Sequence, residues 1–117
     1  MKYGFVKVAA AVPLVKVADC QYNAEQAESL IARAEGSGVQ VIVFPELNLT
    51  GYSCGDLFGQ ALLLEQAEMA LMRVLNNTRQ LDIISIMGMP VRVESVLMNC
   101  AVVIQKGKIL GIVPKTY

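Results

Sequence analysis

Val39-Gln40-Val41-Ile42-Val43-Phe44-Pro45-Glu46 is the stretch on which the fold turns. Its first six residues are apolar apart from Gln40 and mostly β-branched, which predicts a short buried strand, and Pro45 ends it. Upstream, Tyr3 to Val12 is rich in Val and Ala and predicts another buried strand closed by Pro13. Between them Ala27, Leu30, Ile31 and Ala34 fall at helical spacing. Asn23 is the expected N-cap, with Gln26 completing a loose capping box, and Gly36 and Gly38 stop the helix.

Downstream, Glu46 to Gly59 reads as a loop punctuated by Gly51, Gly55 and Gly59. A second helix is predicted from Ala61 to about Thr78, with Leu64, Ala67, Leu71, Val74 and Leu75 on its apolar stripe. Ile83 to Met89 predicts a third buried strand ended by Pro90. Val96 to Ile104 and Ile109 to Val113 flank Lys106-Gly107, a hairpin turn. The order is strand-helix-strand-helix-strand-strand-strand, an α/β class with parallel crossovers followed by an antiparallel hairpin. Met69, Met72, Met87 and Met89 follow these periodicities and are expected in the core, as are Cys20 and Cys100.

Composition removes several classes of function. The 117 residues are 55% hydrophobic and 17% charged, with a mean hydropathy of +0.49, against about 45–50% and ~25% for ordinary globular chains. Disorder is thereby excluded, and the excess of apolar residues predicts surface that expects cover from more chain or from a partner. Ten basic and ten acidic residues cancel, without a run of like charge, which argues against a nucleic-acid module. No apolar run reaches the ~18–20 residues of a membrane span, and Lys7 interrupts any signal-peptide core. The expectation is a cytoplasmic protein with no nucleic-acid or membrane partner. Histidine is absent, and three cysteines (Cys20, Cys54, Cys100) show no C-x-x-C spacing, so no zinc site, Ser-His-Asp triad or Cys-His dyad can be assembled from this chain.

What remains for chemistry sits at strand ends, where α/β sheets gather function. Glu46 follows Phe44-Pro45, and Lys115 follows Val113-Pro114. A carboxylate beside an apolar strand can serve as a general base if burial raises its pKa, and a fixed ammonium can stabilise an oxyanion. Both can also be ordinary solvated charges. The expectation to test is that the two meet on one pocket. Cys54 lacks a neighbouring cation in sequence that would activate its thiol, and Asp56 suits the cap of a helical turn.

Val43-Phe44-Pro45-Glu46-Leu47, then Leu49-Thr50-Gly51-Tyr52, resembles the first catalytic segment of the nitrilase, or carbon-nitrogen hydrolase, superfamily. Gly107 to Tyr117, with Pro114-Lys115 near its end, resembles the second. Gly51-Tyr52-Ser53-Cys54-Gly55-Asp56-Leu57-Phe58 and Asn99-Cys100-Ala101-Val102-Val103-Ile104 look like the N-terminal glutaminase (amidase) domain of the glutamine-dependent NAD(+) synthetase family. The resemblance implies the first half of an α-β-β-α sandwich. It implies Glu46 as base, Lys115 as oxyanion holder and Tyr52 lining a glutamine pocket. It further implies ammonia passed to an ATP-using synthetase domain that amidates deamido-NAD.

In that family the nucleophilic cysteine lies beyond the lysine segment, so residues 1–117 are expected to be an N-terminal piece, inactive alone. Glutamine is the implied small-molecule partner and a homo-oligomer the implied assembly. The amidase half implies no cofactor and no metal; ATP and Mg are implied for the synthetase domain. The alternatives are a stand-alone nitrilase-type amidase of another small amide, and a non-catalytic α/β interaction module.

Overall fold

The computed structural model describes residues 4–51 and 57–115. Seven elements follow the expected order: β1 (Val8–Ala10), α1 (Cys20–Gly36), β2 (Val41–Val43), α2 (Leu57–Asn77), β3 (Ile84–Val93), β4 (Val96–Gln105) and β5 (Lys108–Pro114). They form one five-stranded sheet in sequential order. β1, β2 and β3 are parallel, whereas β3, β4 and β5 form an antiparallel meander. Two crossovers in the same direction across the sheet place both helices on one face. There Ala24, Ala27 and Ile31 of α1 meet Ala67, Leu71 and Val74 of α2 over Ile42, Met87, Val102 and Ile104 of the sheet. The opposite sheet face is open, and Val8, Val43 and Val113 on it are 59%, 37% and 58% exposed.

Several boundaries differ from the sequence expectation. α1 begins before Asn23, capped by Asp19, whose Oδ1 accepts the Tyr22 N–H at 3.1 Å. Asn23 instead lies within the helix and is buried. Its Oδ1 accepts the Lys16 N–H at 2.8 Å, and its Nδ2 donates to the carbonyls of Lys16 and Leu49 at 2.8 and 3.0 Å. A side chain expected to cap its own helix thus ties that helix to two loops. α2 starts at Leu57 rather than Ala61, and Leu63 rather than Leu64 joins Leu71 and Leu75 as a buried leucine of the helix. Met87 and Met89 are buried as expected, but Met69 and Met72 are 59% and 62% exposed on the outer side of α2.

β1 spans three residues rather than Tyr3 to Val12. β3, conversely, runs through Pro90 to Val93. Gly88 directs its N–H and C=O away from β4, to Asn48 Oδ1 and the Leu49 N–H. Two residues on, Pro90 shares that orientation, so its missing N–H removes no bond to β4. The β3–β4 turn was also not anticipated. Glu94 and Ser95 both take positive φ, 50° and 69°, between the paired Val93 and Val96, the geometry of a two-residue type I′ hairpin. Lys106 and Gly107 repeat it between Gln105 and Lys108, with φ of 52° and 76°.

Candidate active site

Glu46 and Lys115 meet. Lys115 Nζ donates to Glu46 Oε2 at 3.0 Å across sixty-nine residues of chain. Two reversals in the meander make β5 run in the same direction as β2 and β3, so the carboxyl ends of these strands share one edge of the sheet. Direction alone does not bring the side chains together. β2 and β5 are three strand spacings apart, about 14 Å at ~4.8 Å each.

The gap is closed by the loop after β2. The Phe44 N–H still donates to the Ile86 carbonyl at 2.9 Å, and the chain then crosses over β3 at Gly88. A Cβ on Gly88 would overlap the Leu47 amide nitrogen and lie 2.7 Å from the Pro45 oxygen and 3.0 Å from the Glu46 carbonyl carbon. Only glycine lets the loop lie this close to the strand. Asn48 Oδ1 accepts the Gly88 N–H at 2.7 Å, and the Leu49 N–H donates to the Gly88 carbonyl at 3.1 Å. Leu49, Thr50 and Asn48 are buried, and Asn23 holds the Leu49 carbonyl from α1. The loop that carries the carboxylate is therefore fixed to β3 on one side and to α1 on the other.

Asn99, on β4, completes the cluster. Its Nδ2 donates to Glu46 Oε1 at 2.9 Å, and its carbonyl accepts the Lys115 N–H at 2.8 Å. The three residues border a cleft of about 350 Å³ on the open sheet face, walled by Val43, Ile86, Ala101 and Val113. Both charged side chains are 49% exposed. Glu46 is thus not buried, and its pKa moves down rather than up. The hydrogen bond from Lys115, then that from Asn99, then the nearby ammonium charge hold the carboxyl below the ordinary glutamate value. Glu46 is ionised at neutral pH, poised as an acceptor. Ion pairs this exposed add little to stability, so the significance of the pair lies in its placement.

Neither described cysteine has the character of a nucleophile. Burial, aided by the charge of Asp19, pushes the Cys20 thiol up to about 11, and burial also raises Cys100, opposite to the shift that activates a thiol. Cys100 borders the cleft through β4, but its Sγ is turned to the Met98 carbonyl at 3.7 Å. Tyr52, Cys54 and Asp56 lie outside the described residues. Among the described residues no three of His, Cys, Asp or Glu gather to hold a metal ion, and no helix is long and apolar enough to cross a membrane. Sequence reasoning passed over Gly88 and gave Asn99 no role. The available signal for Asn99 was a lone amide in an otherwise apolar strand.

The carbon-nitrogen hydrolase family model matches residues 7–117. The glutamine-dependent NAD(+) synthetase of Mycobacterium leprae is 38% identical over 114 residues, which are 97% of this chain and 17% of that protein. The crystal structure of a glutamine-dependent NAD(+) synthetase from Cytophaga hutchinsonii superposes with a TM-score of 0.85 at 25% identity, covering 96% of this chain and 19% of that one. A mutant of the Nesterenkonia AN1 amidase, from the nitrilase superfamily, superposes at 0.80 with 22% identity over 96% of this chain and 43% of its own. The α/β arrangement is therefore the nitrilase-like fold, present here as one sheet with its two helices.

Proposed function

This chain belongs to the carbon-nitrogen hydrolase family, and from that premise we propose that it supplies the base and the oxyanion holder of a glutamine amide hydrolase. The ammonia released would serve ATP-dependent amidation of deamido-NAD in the full-length enzyme. Identity to glutamine-dependent NAD(+) synthetases over nearly the whole chain supports the substrate. The observation that carries the chemistry is the 3.0 Å contact of Glu46 with Lys115 at the shared strand edge. Residues 1–117 form the N-terminal part of the hydrolase domain in this reading, and the synthetase domain lies elsewhere. ATP and Mg belong to that domain, and no step of amide hydrolysis is routed through them.

The reaction is covalent catalysis by a cysteine thiol contributed from outside the described residues. Glu46 takes the thiol proton, and the sulfur attacks the carboxamide carbon. Lys115 stabilises the negative oxygen of the tetrahedral intermediate. Glu46 returns the proton to the departing nitrogen, so that ammonia leaves and a thioester remains. Water gives a proton to Glu46 as its oxygen attacks the thioester carbon. The carbon–sulfur bond then breaks and Glu46 passes that proton to the sulfur, releasing glutamate and restoring the thiol and the base. Lys115 and Asn99 keep the carboxylate unprotonated, the state that the first proton transfer requires. Tyr52 lines the glutamine pocket in this reading, the assembly is a homo-oligomer and the setting cytoplasmic.

The test is ammonia release by the full-length protein across a panel of small amides. Glutamine is expected to be the preferred substrate, and Lys115→Met to lower turnover about a hundredfold or more, as for loss of an oxyanion donor. Preference for another amide would favour a stand-alone amidase. No turnover of any amide would favour an interaction module.

A further inference from the structure

We propose that Asn99 is a positioning residue for the amide-hydrolysis site, holding the Glu46 carboxylate with its side-chain amide and the Lys115 main chain with its carbonyl. The proposal rests on the reading of Glu46 as the base. A carboxylate held by one flexible lysine can swivel, and either oxygen can turn to the ammonium. Here the two oxygens are held separately, Oε2 by Lys115 at 3.0 Å and Oε1 by Asn99 at 2.9 Å. Two donors from different strands fix the plane of the group, and a carboxylate has about four acceptor sites, so lone pairs remain for a thiol or water. An amide suits this task because it orients the carboxylate without adding a second positive charge.

The backbone of the same residue acts on the other partner. β5 ends at Pro114, opposite Cys100, and the Lys115 N–H then donates to the Asn99 carbonyl at 2.8 Å. That bond extends the β4–β5 pairing by one residue and anchors the lysine just past the strand end. Asn99 lies within the β3–β4 ladder opposite Pro90, a register pair without a hydrogen bond, so its main chain faces β5. One residue of β4 thus sets both ends of the ion pair. Around the cleft, β3 presents Ile86, Met87 and Gly88, and β4 presents Asn99, Cys100 and Ala101. Lys115 is the charged side chain facing Glu46 among the described lining residues, and Cys100 the other titratable one.

Carbon-13 NMR titration of the chain labelled at its glutamate side-chain carboxyls tests this, with the Glu46 signal assigned by its loss in Glu46→Gln. Asn99→Ala keeps the main-chain carbonyl and removes the donor, and the Glu46 midpoint is expected to shift upward toward the ordinary glutamate value. Asn99→Asp places a like charge at Oε1 and is expected to shift it further. Asn99→Ser keeps a hydroxyl donor and is expected to fall between wild type and Asn99→Ala. It also provides the reading if the alanine variant fails to fold. Midpoints in the variants equal to wild type would overturn the proposal. The titration needs no turnover, so its outcome is separable from the amide-hydrolysis reading, which is judged by glutamine hydrolysis in Glu46→Gln.

Discussion

The Glu46 carboxylate and the Lys115 ammonium lie 3.0 Å apart, at the ends of two strands with two others between them. Their meeting depends on a glycine that belongs to neither strand. Gly88 on β3 is the point at which the Glu46 loop crosses over the central strand.

Gly88→Ala is therefore expected to do two things. The new methyl must displace the backbone at Pro45 and Leu47, an overpacking of the kind that costs about 1–3 kcal/mol. Urea denaturation would show a lower midpoint with an unchanged slope. Glutamine hydrolysis by the full-length protein should fall by more than the stability loss explains, because Glu46 moves with the loop. An alanine variant with wild-type stability would refute the close approach.

Asn23 ties that loop to α1 through Leu49 and ties the Lys16 loop to the same helix. Asn23→Leu would remove one acceptor and two donations at a buried position, leaving the Lys16 amide and carbonyl and the Leu49 carbonyl without this partner. Stranded buried groups cost about 1–3 kcal/mol each, so a loss of about 2–4 kcal/mol is expected in chemical denaturation. Asn23→Asp keeps the acceptor but turns a carboxylate oxygen onto the Lys16 and Leu49 carbonyls at a buried position, and should lose at least as much.

Much of this was legible in the sequence, and what was not shares a cause. Element order, the Lys106-Gly107 turn, and the buried Ile42, Ile31 and Val74 follow from local pattern, because apolar periodicity is local physics. Asn23 looks like a cap because Asn favours helix starts; only the tertiary contact with Leu49 assigns it elsewhere. Pro90 looks like a strand terminator until the orientation of Gly88 shows that its N–H position faces away from β4. Glu94-Ser95 lacks the Asn-Gly signature of a type I′ turn. Glu46 and Lys115 could be picked out as strand-end charges, whereas Gly88 and Asn99 acquire meaning only once the sheet is assembled.

The acid behaviour of the site follows from the lowered pKa of Glu46. Its stabilising contribution is fully present above the ordinary glutamate value of about 4.3 and is lost as pH falls through the lowered folded value. Lys115→Met removes the leading cause of that lowering, so the midpoint of the Glu46 carboxyl should rise. Carboxyl NMR against pH checks this. A midpoint that does not change without Lys115 would contradict the ion pair as its cause.

Cys20 and Cys100 should resist modification. With the Cys20 thiol raised to about 11 and Cys100 also raised, both are neutral and buried at pH 8. In a Cys54→Ser background, a disulfide reagent should label native protein at least about a hundredfold more slowly than urea-unfolded protein. The Cys20 contribution to stability should be lost as pH rises from the ordinary thiol value of about 8.5 through about 11. Rapid native labelling would reopen these thiols as nucleophiles.

Glu46, in the proposed function, is the base of an amide-hydrolysing site whose ammonia feeds a second reaction. NAD formation by the full-length protein, wild type and Glu46→Gln, driven first by glutamine and then by free ammonium, tests it most directly. Glutamine keeps the shape of the side chain and loses the base, so the glutamine-driven rate should fall by at least about a hundredfold while the ammonium-driven rate stays near wild type. Equal loss of both rates, or retention of both, would contradict the account.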